Sequence, residues 1–174
     1  MSSSGYNAKQ TTGTLIPQSA CVVIVKTEWN AQIADELEGG CKEILSKEGV
    51  KHIHTLIVPG AVEIPFAIRK CWDKMKYLDV RPHAFIALGA VIKGDTPHFD
   101  YVNKIISEGI SQLNSCLPVP TIFGVLTVEN EQQAKDRIGG KNGHKGQEAA
   151  DAAIKMIGLQ HQIDQVISET KASK

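Results

Sequence analysis

The 174 residues of this chain fit one domain, because that length buries a useful core but divides poorly into two. Nineteen Lys and Arg balance nineteen Asp and Glu, and the cations are scattered, so neither nucleic acid nor a membrane surface is expected as a partner. The cysteines Cys21, Cys41, Cys71 and Cys116 stand far apart with no C-x-x-C pair, which removes the usual zinc and redox motifs and points to buried free thiols in a reducing compartment.

Residues 1–18 are rich in Ser, Thr, Gly and Gln and contain no apolar stretch. They read as a flexible arm, not a signal peptide or membrane span, and residues 19–174 read as one domain of a cytoplasmic protein. From Ala20 to Val25 the run ACVVIV is short, apolar and β-branched, the pattern of a strand covered on both faces, and it closes at Lys26. Asn30 can cap a helix carrying Ile33, Leu37, Ile44 and Leu45, with Gly49 as its stop. His52 to Val58 reads as a second strand, and Ile64 to Met75 as a second helix with Pro65 in its first turn. Ala84 to Ile92 is a third buried strand. His98 to Leu113 is an amphipathic helix with Val102, Ile105, Ile106, Ile110 and Leu113 on its stripe. Thr121 to Val128 is a fourth strand, Glu131 to Arg137 a short helix, and Gly146 to Glu169 a long last one. Strands alternating with helices, none with the in/out polarity of an exposed sheet, predict a three-layer α/β/α sandwich around a four-stranded parallel sheet.

Such sheets hold ligands outside the carboxyl ends of their strands, so the segments after each strand are the places to search. After the first, Trp29 can stack on a flat heterocycle and Asn30 pair with its polar edge; equally, Trp29 can cover the sheet end and Asn30 cap the helix. After the second, Gly60 permits close backbone approach, and Glu63 can accept from a polyol or complement a helix dipole. After the third, Gly94, Asp95 and Thr96 run into a helix N-terminus, where free N–H groups and the Thr96 hydroxyl suit a phosphate, provided Asp95 points away. His98 at that terminus is disfavoured as imidazolium and can take and return a proton; the plainer reading is a capping Thr96 and a surface His98. After the fourth, Arg137, one or two turns into its helix, can grip phosphate with a bidentate fork or remain solvated. The GGKNGHKG turn before the last helix lacks the P-loop pattern, and no dinucleotide fingerprint, G-x-S-x-G elbow or metal constellation occurs.

Four segments, VPGAVEIP, ALGAVIKGDTPHFDYV, PTIFGVLTVEN and GGKNGHKGQEAADAAIKM, resemble the lumazine synthase family in order and spacing, and the likeness covers the chain after about residue 18. The resemblance implies a flavodoxin-like fold and a cofactor-free condensation of 5-amino-6-(D-ribitylamino)uracil with 3,4-dihydroxy-2-butanone 4-phosphate. It implies Trp29 and Asn30 at the pyrimidine, and Ala61, Val62 and Glu63 along the ribityl chain. Ala90, Val91 and Ile92 would form the backbone edge that reads the uracil, and Gly94, Asp95 and Thr96 the phosphate loop. His98 would be the acid/base, Arg137 the phosphate clamp, and Phe123 and Lys145 groups lent by a neighbouring subunit. It further implies a homo-oligomer, a pentamer or a 60-subunit shell of pentamers, with the Val102 to Leu113 helix in the interface core and the arm free to add a strand to a neighbour. Three positions depart from the family pattern: His144 replaces a commoner Asn, Val62 a bulkier residue and Ile138 an Ala. Two rival readings are a non-catalytic flavin or lumazine binder of the same fold and a flavodoxin-like interaction domain. Retention of His98 together with Arg137 argues against the binder, since a non-phosphorylated ring needs no phosphate clamp.

Overall fold

Residues 19–172 are described by a computed structural model. The first strand, β1 (Cys21–Thr27), is buried almost end to end, as an unbroken β-branched run between two helical layers must be. The helix α1 (Ala31–Lys47) turns Ile33, Leu37, Cys41 and Leu45 toward the sheet. It ends where Gly49 takes a φ of +85°, a left-handed turn that a β-carbon would strain. Next come β2 (His52–Val58), a single 3-10 turn (Ala61–Glu63), α2 (Ile64–Met75), β3 (Ala84–Ile92), α3 (His98–Cys116) and β4 (Thr121–Val128). The chain then makes α4 (Glu131–Lys135), a small antiparallel hairpin of β5 (Ile138–Gly140) and β6 (Gly143–His144), and the long α5 (Lys145–Ala172).

The four long strands form one parallel sheet in the order β2-β1-β3-β4. Alternation along each strand divides the core in two. Val22, Ile24, Ile86 and Leu88 pack with α1 and α5, while Cys21, Val23, Val25, Phe85 and Ala87 pack with α2 and α3. This is the expected three-layer sandwich. Because every strand runs the same way, the loops that follow them gather at one end of the sheet.

Several expectations change at the level of elements. The run HIHTLIV is expected, like the other strands, to lack the polarity of an exposed sheet, yet only Val58 of β2 is buried and Ile57 is 60% exposed. The strand order explains this, since it puts β2 at an edge. Val102, Ile106, Ile110 and Leu113 face the chain's own sheet, and Tyr101 and Ile105 are the large apolar residues of α3 left exposed on its other side. Arg137 does not lie within a helix. Asn130 caps α4 by accepting from the Gln133 N–H at 3.0 Å, the helix ends at Lys135, and Arg137 falls in the turn before β5. The arm, residues 1–18, lies outside the described residues. Among those described, no helix is long and apolar enough to cross a membrane.

Candidate active site

A cavity of about 530 Å³ opens at the carboxyl ends of β1, β2 and β3. Trp29, Asn30, Ala61, Val62, Glu63, Ala90, Val91, Ile92, Gly94, Thr96 and His98 all border it, so residues drawn from three separate loops converge as the parallel sheet requires. Asp95 does not line the cavity, which relieves the repulsion its carboxylate would impose on an anion held there.

The β1 loop is held from several sides. The Thr27 hydroxyl donates to the Trp29 carbonyl at 3.0 Å, and the Glu28 and Trp29 N–H groups donate to the Val58 and Pro59 carbonyls at 2.8 and 3.1 Å. Thr27 itself is buried against Gly89, where a β-carbon would come within 2.7 Å of its hydroxyl oxygen. These contacts fix the backbone of Trp29 while its indole stays 69% exposed beside Gly60, where a β-carbon would lie 3.7 Å from the ring. A ring this open covers little of the sheet end and leaves a face for stacking.

Asn30 does not cap α1 through its side chain. Its backbone is left-handed, with φ 56°, the one such non-glycine conformation among the described residues, and its side-chain amide donates to the Ala90 carbonyl at 2.8 Å. Asparagine is among the few residues that tolerate this geometry. The bond spans β1 to β3 and ties the Trp29 loop to the Ala90–Ile92 edge. Glu63 accepts from the Gly60 N–H at 3.0 Å, a bond that orients its carboxylate at the cavity wall. Thr96 is not a cap either. Pro97 holds the cap position of α3 with no side-chain hydrogen bond and its carbonyl accepts from the Asp100 N–H at 3.0 Å, so the amides ahead of Asp100 are the ones left beside Thr96 and His98.

Phe123, Arg137 and Lys145 do not line this cavity. Phe123 lies on β4, opposite Ala87 of β3 and packed against the α2/α3 core. Arg137 donates through Nη2 to Glu148 Oε2 at 2.7 Å and through Nη1 to the Asn142 carbonyl, and the Lys145 ammonium stands 3.5 Å from the same Glu148 oxygen. Burial raises the Glu148 pKa, but the hydrogen bond and charge of Arg137, with Lys145 behind them, outweigh it and hold the carboxyl below its ordinary range. The sequence reading missed Glu148. Its signal was an acidic residue three positions after Lys145 at a helix start, a spacing that also describes any solvated pair.

Residues 19–161 match the family model described as 6,7-dimethyl-8-ribityllumazine synthase. The chain belongs to the lumazine synthase family. It is 45% identical over 136 residues to the 6,7-dimethyl-8-ribityllumazine synthase of Parabacteroides distasonis, covering 77% of this chain and 82% of that one. The synthase of the same name from Bacteroides fragilis is also 45% identical, covering 77% of this chain and 92% of its own length. That of Bdellovibrio bacteriovorus is 42% identical over 142 residues, covering 82% and 76%. The matched span of the lumazine synthase family takes in every residue of the cavity and of the Arg137–Lys145–Glu148 cluster.

Proposed function

We propose that this chain is the transferase that condenses 5-amino-6-(D-ribitylamino)uracil with 3,4-dihydroxy-2-butanone 4-phosphate to 6,7-dimethyl-8-ribityllumazine in riboflavin biosynthesis, without a cofactor. The observation that carries the reading is the shared border: an exposed indole, a backbone edge and an uncapped helix start surround one cavity of about 530 Å³. In this reading Trp29 stacks on the pyrimidine, with Asn30 beside it. Ala90, Val91 and Ile92 meet its polar edge, and Ala61, Val62 and Glu63 flank the ribityl chain. Gly94 and Thr96 hold the phosphate at the α3 N-terminus, with Asp95 turned outward.

The amine of the uracil attacks the ketone, and loss of water gives an imine. His98, at the same helix start, moves the proton that lets phosphate leave. Loss of phosphate leaves an enol at the hydroxyl-bearing carbon, which tautomerises to a new ketone, and attack of the ribitylamino nitrogen on that carbonyl closes the ring and releases a second water. Both reactants are reactive on their own, so holding them face to face supplies most of the acceleration and proton transfer a smaller part.

The position of Arg137, Lys145 and Phe123 away from the cavity supports a site shared between subunits, in which a neighbouring copy brings these three residues to the mouth. The protein then acts as a homo-oligomer, a pentamer, with the 60-subunit shell as the larger assembly of the same ring. Residues 19–174 form its single domain, residues 1–18 its arm, and the cytoplasm its place of work. Absorbance of the product on mixing the two substrates tests the reaction, and its absence from a folded preparation would reject it. Light scattering tests the ring.

A further inference from the structure

His144, the departure from the family pattern, has no part in the site so far. Where α1 meets the start of α5 there is almost no free volume. A β-carbon on Gly40 would lie 2.3 Å from the His144 ring, and one on Gly146 would lie 2.0 Å from the Leu37 carbonyl oxygen. Glycine is needed at both positions because an imidazole and a backbone carbonyl occupy the space. His144 Nδ1 accepts from the Gly146 N–H at 3.2 Å, and one turn along α1 the Gln147 amide donates to Glu43, also at 3.2 Å. Immediately after His144, the Lys145 N–H donates to the Arg137 carbonyl at 2.8 Å. The seat of the ring on α1 thus sets where the backbones of Arg137 and Lys145 stand.

We propose that His144 is a positioning residue: seated on Gly40, its neutral imidazole holds the β5–β6 hairpin so that Arg137 and Lys145 meet the phosphate end of the substrate, and protonation loosens that hold. The role rests on the function proposed above. The charged groups around the ring are Glu36 and Glu43 from α1, Lys145 and Glu148 from α5, and Arg137 beside Gly143. Burial pushes the imidazole below its ordinary range, and the pull of the three glutamates the other way is the smaller effect. Once protonated, Nδ1 has no lone pair for the Gly146 N–H. The hold is therefore complete while the ring is neutral and is lost as pH falls through that lowered value.

The test is the KM for the sugar phosphate against pH in the wild type, His144→Asn, His144→Ala, Gly40→Ala and the His144→Ala/Gly40→Ala pair. The asparagine amide oxygen can accept from Gly146 but does not titrate. His144→Asn should therefore keep a wild-type KM at neutral pH and lack the rise in KM that the wild type shows in acid. Gly40→Ala should raise KM on the order of tenfold with little change in kcat, since misplacing a binding group by about an ångström is costly. In the His144→Ala background the same change should add nothing. An acid rise in His144→Asn equal to the wild type's, or a Gly40→Ala effect that persists without His144, would overturn the role. If His144→Ala does not fold, the first comparison decides alone. A wild type without turnover would overturn the assigned reaction and this role with it, whereas an active wild type with an unchanged His144→Asn profile overturns the role alone.

Discussion

At the scale of single residues, His98 and Glu148 make opposite demands. If His98 plays the proposed part in a reaction accelerated mostly by proximity, His98→Ala should slow kcat by about one to two orders of magnitude and leave substrate binding nearly intact. Steady-state rates with both substrates check this, and complete loss in a folded variant would mean that the histidine does more than shuttle a proton. Glu148 never touches the cavity; it holds the two cations. Glu148→Gln keeps the shape and removes the charge that orders Arg137 and Lys145, so the KM for the sugar phosphate should rise severalfold while kcat changes little. An unchanged KM would show that Arg137 needs no partner. Trp29, Glu63, Gly94 and Thr96 were legible as candidates because a parallel sheet sends every loop after a strand to the same end. The conformation of Asn30 was not, because an asparagine before a helix reads the same whether it caps that helix or bends left-handed to reach another strand.

At the scale of elements, β1, β2 and α1 are laced together by a polar cluster below the mouth. Glu38 on α1 accepts from Lys26 of β1, Lys42 of its own helix and, at 2.6 Å, the Thr55 hydroxyl of β2. Burial alone would raise its pKa, but these hydrogen bonds and the Lys26 charge bring it down to about 2. A carboxyl with a lowered folded-state pKa contributes stability that is complete above its unfolded value of 4.5 and is lost as pH falls from there toward 2. Melting temperatures between neutral pH and pH 3 should therefore fall more steeply for the wild type than for Glu38→Gln, with about 2 kcal/mol at stake over that range. Parallel curves for the two proteins would remove Glu38 from the account. The long elements were readable because ACVVIV, AFIALGAVI and TIFGVLTV carry their burial in their composition. The hairpin was not: its strands are three and two residues long, and φ of +106° at Gly139 and +83° at Gly143 shapes it more than any side-chain period. The edge position of β2 was equally hidden, since strand order is a tertiary outcome that no local pattern encodes.

At the scale of the whole molecule, the cavity and the Arg137–Lys145 pair of the proposed site lie in places that one copy does not join. Its cavity is open, its cations sit elsewhere, and large apolar side chains remain uncovered on several elements: Ile57 on β2, Phe66 on α2 and Tyr101 and Ile105 on α3. Apolar surface of this extent is what a ring of identical copies buries, each presenting one patch to the next. If the cavity of one subunit meets the Arg137 and Lys145 of its neighbour, defects in the two halves should complement each other. Coexpression of Arg137→Ala chains with chains carrying both Trp29→Ala and His98→Ala would place an intact cavity beside an intact clamp at about a quarter of the junctions in a random ring. At limiting sugar phosphate the mixed assembly should then exceed the sum of the two separate variants by a wide margin. If each chain completes its own site, every site in the mixture carries a defect, and the mixed activity stays at the average of the parents however the subunits are arranged.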